Sequence, residues 1–134
     1  MTPSIQQAIQ LHQQGHLDAA QHIYQLILKQ DKKNSDAHNL LGAVFVAKKQ
    51  FKEAERHLVK ASKLSPKYAP IHYNLGKCYV DMGDVKKGIQ PLNKAISLDD
   101  KYVDAWFLRA NVFVQLNQLK EAETGYRKLL TLAP

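Results

Sequence analysis

The sequence predicts an all-α fold made of four consecutive pairs of antiparallel helices. Three observations carry that prediction. Laid on itself at an offset of 34 residues, the chain superposes Leu41-Gly42-x2-Phe45 on Leu75-Gly76-x2-Tyr79 and on Arg109-Ala110-x2-Phe113. A second set, Ala20-x3-Tyr24, Ala54-x3-Leu58, Gly88-x3-Leu92 and Ala122-x3-Tyr126, recurs at the same interval. It places small residues where two helices have to approach closely. Within each block the apolar positions, such as Ala54, Leu58, Ala61 and Leu64, follow the i, i+4, i+7 spacing of a helix with one buried stripe.

The repeats are 1–34, 35–68, 69–102 and 103–134, the last two residues short of a full period. Helices are predicted near 3–14 and 18–30, 36–48 and 52–64, 70–82 and 86–98, and 104–116 and 120–132. Each pair is divided by a polar or glycine-bearing turn: Gln14-Gly15-His16, Lys48-Lys49-Gln50, Met82-Gly83-Asp84 and Leu116-Asn117-Gln118. Pro3 and Pro70 suit a first helical turn, where a missing N–H costs nothing, whereas Pro66 and Pro134 follow helices they cannot continue. Pro91 breaks the pattern. It lies about seven residues into the sixth helix, where a proline deletes one backbone bond and clashes with the carbonyl of Lys87. A bend near Gly88 to Pro91 is predicted.

At 134 residues, 45% apolar and 23% charged, the chain has the composition of one globular domain and not of a disordered tail. No apolar run approaches the roughly 18 residues of a membrane span. The opening residues have neither a basic nor an apolar region of a secretory signal, and the lone Cys78 has no internal disulfide partner. A cytoplasmic location is expected. The net charge of +7 sits mainly in the second repeat, in Lys48, Lys49, Lys52, Arg56, Lys60, Lys63 and Lys67. There Lys52, Arg56, Lys60 and Lys63 fall on the second helix, interleaved with Glu53 and Glu55, as on a solvated face. Nucleic-acid binding is not expected.

These residues resemble the tetratricopeptide repeat, whose 34-residue signature is W-x2-L-G-x2-Y, then A-x3-F and P. The second repeat is the nearest match, with His38, Leu41, Gly42, Phe45, Ala54, Leu58, Ala61 and Pro66 in register, and the fourth supplies the tryptophan as Trp106. The first departs most, with Ser4 and Gln7 at the Trp and Leu positions, as suits a repeat with no neighbour on its outer side. The resemblance implies a right-handed α-solenoid in which the first helix of each pair lines a concave groove.

At the family's groove positions stand Ile5, Gln6, Ile9 and His12 in the first repeat, after Thr2, with Asn39, Leu40, Ala43 and Val46 in the second. Tyr73, Asn74, Lys77 and Val80 follow in the third, and Phe107, Leu108, Asn111 and Val114 in the fourth. Apolar and aromatic groups among a few amides suit an extended peptide or a helix, since pockets take side chains and amides satisfy a bound backbone. Tyr73, Asn74, Lys77, Phe107 and Asn111 are the expected centre of a partner-binding groove, which Asn39 and Leu40 extend toward the N-terminal half. The Lys, Asn and Arg clamp with which some members grip chaperone C-termini has no cations at its positions here. The asparagine ladder of the O-linked N-acetylglucosamine transferase retains only Asn74 among Gln6, Leu40, Asn74 and Leu108.

Other chemistry is sparse. His12 and His16 have i, i+4 spacing but no third ligand, and His38 and His72, at the Trp position, are expected to pack against the next pair. Cys78 reads as a small buried hydrophobe. With no glycine-rich phosphate loop, no HExxH and no readable nucleophile with its base, the chain is expected to have no catalytic residue, metal or cofactor.

The reading that follows is a non-enzymatic, protein-binding scaffold that presents its groove to a partner. The alternative is a substrate-recruiting arm at the N-terminus of a larger enzyme, such as a glycosyltransferase or sulfotransferase. Gly15-x-Leu17-Asp18-Ala19-Ala20-x3-Tyr24 resembles bacterial arrays of that kind. The last helix carries Tyr126, Leu129, Leu130 and Leu132 with no polar capping helix after it. That uncovered flank predicts either continuation past Pro134 or self-association through the last helix.

Overall fold

The structure, a computed structural model, describes residues 3–132, and all of its regular secondary structure within them is helical. Eight helices follow one another: α1 (Ile5–Gln13), α2 (Leu17–Gln30), α3 (Ser35–Ala47), α4 (Phe51–Leu64), α5 (Ala69–Asp81), α6 (Val85–Leu98), α7 (Val103–Gln115) and α8 (Leu119–Leu132). Their bounds fall within about two residues of those expected from the periodicity. The groove position Thr2 and the terminal Pro134 lie outside the described residues.

The turn inside each pair repeats one device. Residues Gly15, Lys49, Gly83 and Asn117 take φ values of 86°, 62°, 96° and 58°. The following amide donates back five residues along the chain, His16 to Leu11, Gln50 to Phe45, Asp84 to Tyr79 and Gln118 to Phe113, at 2.8–2.9 Å. This left-handed residue with its long backbone bond is the Schellman ending, which satisfies carbonyls that a helix terminus otherwise leaves bare. Glycine is at ease there, asparagine tolerates it, and lysine is strained.

The two compact units are Met1–Pro66 and Lys67–Pro134. In the first, α1 packs on α2, α2 on α3 and α3 on α4. Ala8, Ala20, Tyr24, Leu41, Leu58 and Ala61 are fully buried in its core. A β-carbon on Gly42 would stand 2.5 Å from Leu58 Cγ, so only glycine lets α3 close on that leucine. The helix start also corrects an expectation. Pro3 is not in the first turn, because Ser4 is the N-cap: its hydroxyl accepts from the Gln7 amide at 3.2 Å, and the Gln7 side chain accepts from the Ser4 amide at 2.8 Å. Two residues that depart from the repeat signature thus form a capping box that starts α1.

In the second unit α5 packs on α6, α6 and α5 on α7, and α7 on α8. Its core holds Ile71, Cys78, Leu92, Ala95, Ala105 and Val112. Cys78 is the small buried hydrophobe the sequence implied. Gly76 and Gly88 let α5 and α6 approach until a β-carbon on Gly88 would stand 3.0 Å from the Gly76 carbonyl oxygen. Pro70 occupies the first turn of α5, and α6 runs from Val85 to Leu98 through Pro91 without ending. Arg109 replaces the leucine of the second and third repeats and lays its guanidinium over the rings of Phe113 (4.9 Å) and Trp106 (5.6 Å).

Candidate interaction surface

In the second unit, α5 and α7 are neighbouring first helices, and they hold five of the seven expected groove residues. Tyr73, Asn74 and Lys77 are half-buried on α5. The Tyr73 ring stacks on Tyr102, the residue capping α7, with centroids 5.3 Å apart and planes 29° from parallel. Burial pushes the Tyr73 phenol above its ordinary value, and the Asp104 and Asp81 carboxylates add to the shift. Burial and the facing Tyr73 push Tyr102 up as well. Both phenols therefore keep their protons, and with them the capacity to donate a hydrogen bond, across physiological pH. Lys77 donates to Asp81 at 3.0 Å along the same helix, so its ammonium arrives paired.

On α7, Phe107 exposes 53% of its surface, the largest exposure of any aromatic ring in this unit. Asn111 is half-buried, and its side-chain oxygen accepts from the Tyr126 hydroxyl on α8. That contact orients the amide and leaves its NH2 group as the donating end. The remaining two expected residues lie in the first unit, on α3. Leu40 is half-buried, while Asn39 is only 5% exposed, one of three buried polar side chains among the described residues.

Sequence reasoning missed Tyr102, which stiffens Tyr73 from behind. Its signal was available, because a tyrosine stands at the end of both the second and the third repeat, as Tyr68 and Tyr102. Two histidines have contacts that spacing does not reveal. His38 Nδ1 lies 3.0 Å from His57 Nδ1 on α4, within its own pair, and its Nε2 lies 2.9 Å from the Lys32 carbonyl oxygen. His72 lines a cleft of about 460 Å³ with Leu75 and Pro91, between α5 and α6. Among the described residues no three His, Cys, Asp or Glu side chains converge on a common point, and no helix is long and apolar enough to cross a membrane.

Helix pairs that each close through the same Schellman turn, with first-helix faces that display aromatic and amide groups, define an all-α solenoid of the helical-repeat class. Comparison with known proteins makes that specific. The tetratricopeptide repeat model matches residues 69–102 and 103–134, and a related TPR repeat model matches residues 42–83. The chain belongs to the tetratricopeptide repeat family. Among solved structures, MamA from Desulfovibrio magneticus shares 26% identity over 96% of this chain and 72% of that one, with a TM-score of 0.86. An O-GlcNAc transferase mutant from Thermobaculum terrenum shares 28% identity over 81% of this chain but only 21% of its own length, with a TM-score of 0.80. A thermophilic TPR protein of Thermus thermophilus, at 19% identity and a TM-score of 0.86 over 96% of this chain, shares the fold. No curated protein sequence matches the chain.

Proposed function

We propose that this chain is a non-catalytic interaction scaffold that binds a peptide or helical segment of a partner protein along its first-helix faces. The carrying observation is the half-exposed Phe107 on α7, next to the helix on which Tyr73 is held by Tyr102. A large aromatic ring left in water is costly unless something covers it, and rigid aromatic anchors contribute most of the affinity in many interfaces. Lys77, Asn74 and Asn111 add polar groups that fix the orientation of a bound chain; on the first unit the half-buried Leu40 is the proposed contact, whereas Asn39 is buried. Family membership supports the same reading, as does the likeness to MamA.

The test is a pull-down from source-cell extract using wild type and a Tyr73→Ala, Asn74→Ala, Phe107→Ala variant, with circular dichroism confirming that both are folded. A partner retained by wild type should be lost or weakened at least about tenfold in the variant, equivalent to roughly 1.4 kcal/mol. Identical sets of retained proteins would sink the assignment of the groove.

A second reading draws on the likeness to the O-GlcNAc transferase, which this chain matches over 21% of that enzyme's length. In that reading the array is a substrate-recruiting arm of a larger enzyme, of the glycosyltransferase or sulfotransferase kind. Sequencing the gene beyond the codon for Pro134 decides it: a following catalytic domain supports the arm, and a stop codon ends it.

A further inference from the structure

The outer face of α8 carries an exposed stripe beside the groove position Val114. Leu119 and Leu130 expose 61% and 73% of their surface, and with Val114, Tyr126, Glu123 and Arg127 they line a cleft of about 550 Å³. One period earlier in the same unit, α7 packs on both α5 and α6. Of the residues matching the stripe, Val85, Ile89, Leu92 and Ile96 are buried or half-buried and Asn93 is exposed. The α8 face is thus shaped for a helix that no described residue supplies.

The chemistry of the face says which helix. The stripe on α8 reads Leu119, Glu123, Tyr126, Arg127, Leu130, with an apolar residue at each end and opposite charges between them. Run antiparallel against its own copy, this stripe brings Leu119 opposite Leu130 and sets Glu123 within one residue of Arg127. It complements itself, which is the requirement of a two-fold interface. Within the chain, Glu123 and Arg127 pair at 2.8 Å but remain 62% and 76% exposed, so each can meet a second charge. The head of another copy does not complement this face. Where α3 and α7 carry the fully buried Val44 and Val112, α1 has the exposed Gln10, with Gln6, Gln7, Gln13 and Gln14 exposed around it.

We infer that α8 is a two-fold self-association surface through which two copies pair antiparallel, Leu119 against Leu130 and Glu123 against Arg127. The stripe is far smaller than the roughly 20–30 residues a side of a permanent interface, so the dimer forms and dissociates with concentration.

Sedimentation equilibrium from micromolar to millimolar chain tests this. Wild type should reach a dimer and no larger species. Leu130→Glu should keep the wild-type circular dichroism and thermal midpoint while the dimer is lost. E123R and R127E should each weaken the dimer about tenfold or more, and mixing the two should restore it, because each then supplies the charge the other lacks. Rescue on mixing is an intermolecular result that repair of the pair within one chain does not mimic. A chain that stays monomeric at millimolar concentration overturns the inference. So does a dimer indifferent to Leu130→Glu, single-charge variants that do not recover on mixing, or a ladder of species beyond the dimer, which would mean head-to-tail stacking.

Discussion

His38 and His57 form a hydrogen-bond chain buried in the first unit. The Lys32 carbonyl can only accept, so His38 Nε2 donates to it, and of the facing Nδ1 atoms of His38 and His57 one donates and the other accepts. At the far end His57 Nε2 faces the donating Arg56 guanidinium at 3.4 Å, and the His57 ring stacks on Phe45. A proton added to His57 would meet the Arg56 guanidinium. Burial, with Arg56 and His38 in support and Glu53 opposing weakly, lowers the His57 pKa from an ordinary 6.5 to about 4. An unfolded chain takes up that proton first as the pH falls, so the stability His57 contributes is complete above about pH 6.5 and is lost between 6.5 and about 4. His12, lowered by burial against Tyr24, acts in the same sense. Urea titrations across this window should show stability falling with a slope approaching about 1.4 kcal/mol per pH unit for wild type. The slope should be shallower in His57→Gln, and a flat wild-type profile would refute the arrangement. The sequence showed a histidine at a tryptophan position but not its partner, because His57 is 19 residues away and only the closing of α3 on α4 brings the rings together.

At the scale of the helix, the repeat reveals which positions are dictated by backbone and which by side chain. Residue fifteen of every repeat is left-handed, yet only Gly15 and Gly83 are the residue type that conformation favours. Reading the sequence for glycine finds those two turns and treats Lys49 and Asn117 as ordinary polar loop. The geometry shows all four to be the same ending. Lys49 therefore carries a left-handed penalty of roughly 1 kcal/mol that its three counterparts reduce or avoid. Lys49→Gly is expected to stabilise the chain by about 0.5–1 kcal/mol, readable as a rise in denaturation midpoint with an unchanged m-value. A loss of stability would show that the lysine side chain makes a contact worth more than the strain. The start of α1 follows a similar logic, since Ser4 and Gln7 look like lost signature residues and are a matched cap.

For the molecule as a whole, +7 net charge is a statement about solvation before it is one about partners. The basic second helix α4 keeps Lys52, Arg56, Lys60 and Lys63 exposed, with Arg56 paired to Glu53 at 2.7 Å. Lys48, counted in the same excess, is tied to Asp18 and Gln21 on α2 at 2.7 Å and belongs to the packing of the first unit. Neutralising Lys52, Arg56 and Lys60 together should leave stability within about 0.5 kcal/mol and partner retention unchanged. A salt-sensitive loss of binding in that variant would move the functional face from the first helices to α4.

The sequence by itself determined the helical class, the four-fold period, the turns and the family, because these depend on local spacing and on residue types that recur in register. It also placed the candidate groove residues on first helices, since position within a repeat decides which face a side chain shares. Tertiary structure decided what spacing cannot encode: that His38 turns inward to His57, that Tyr102 backs Tyr73, that Asn111 is held by Tyr126, and that Asn39 is buried while Phe107 is not. The contacts among them join residues 15 to 29 apart in the chain, and such distances exist only once the helices have packed.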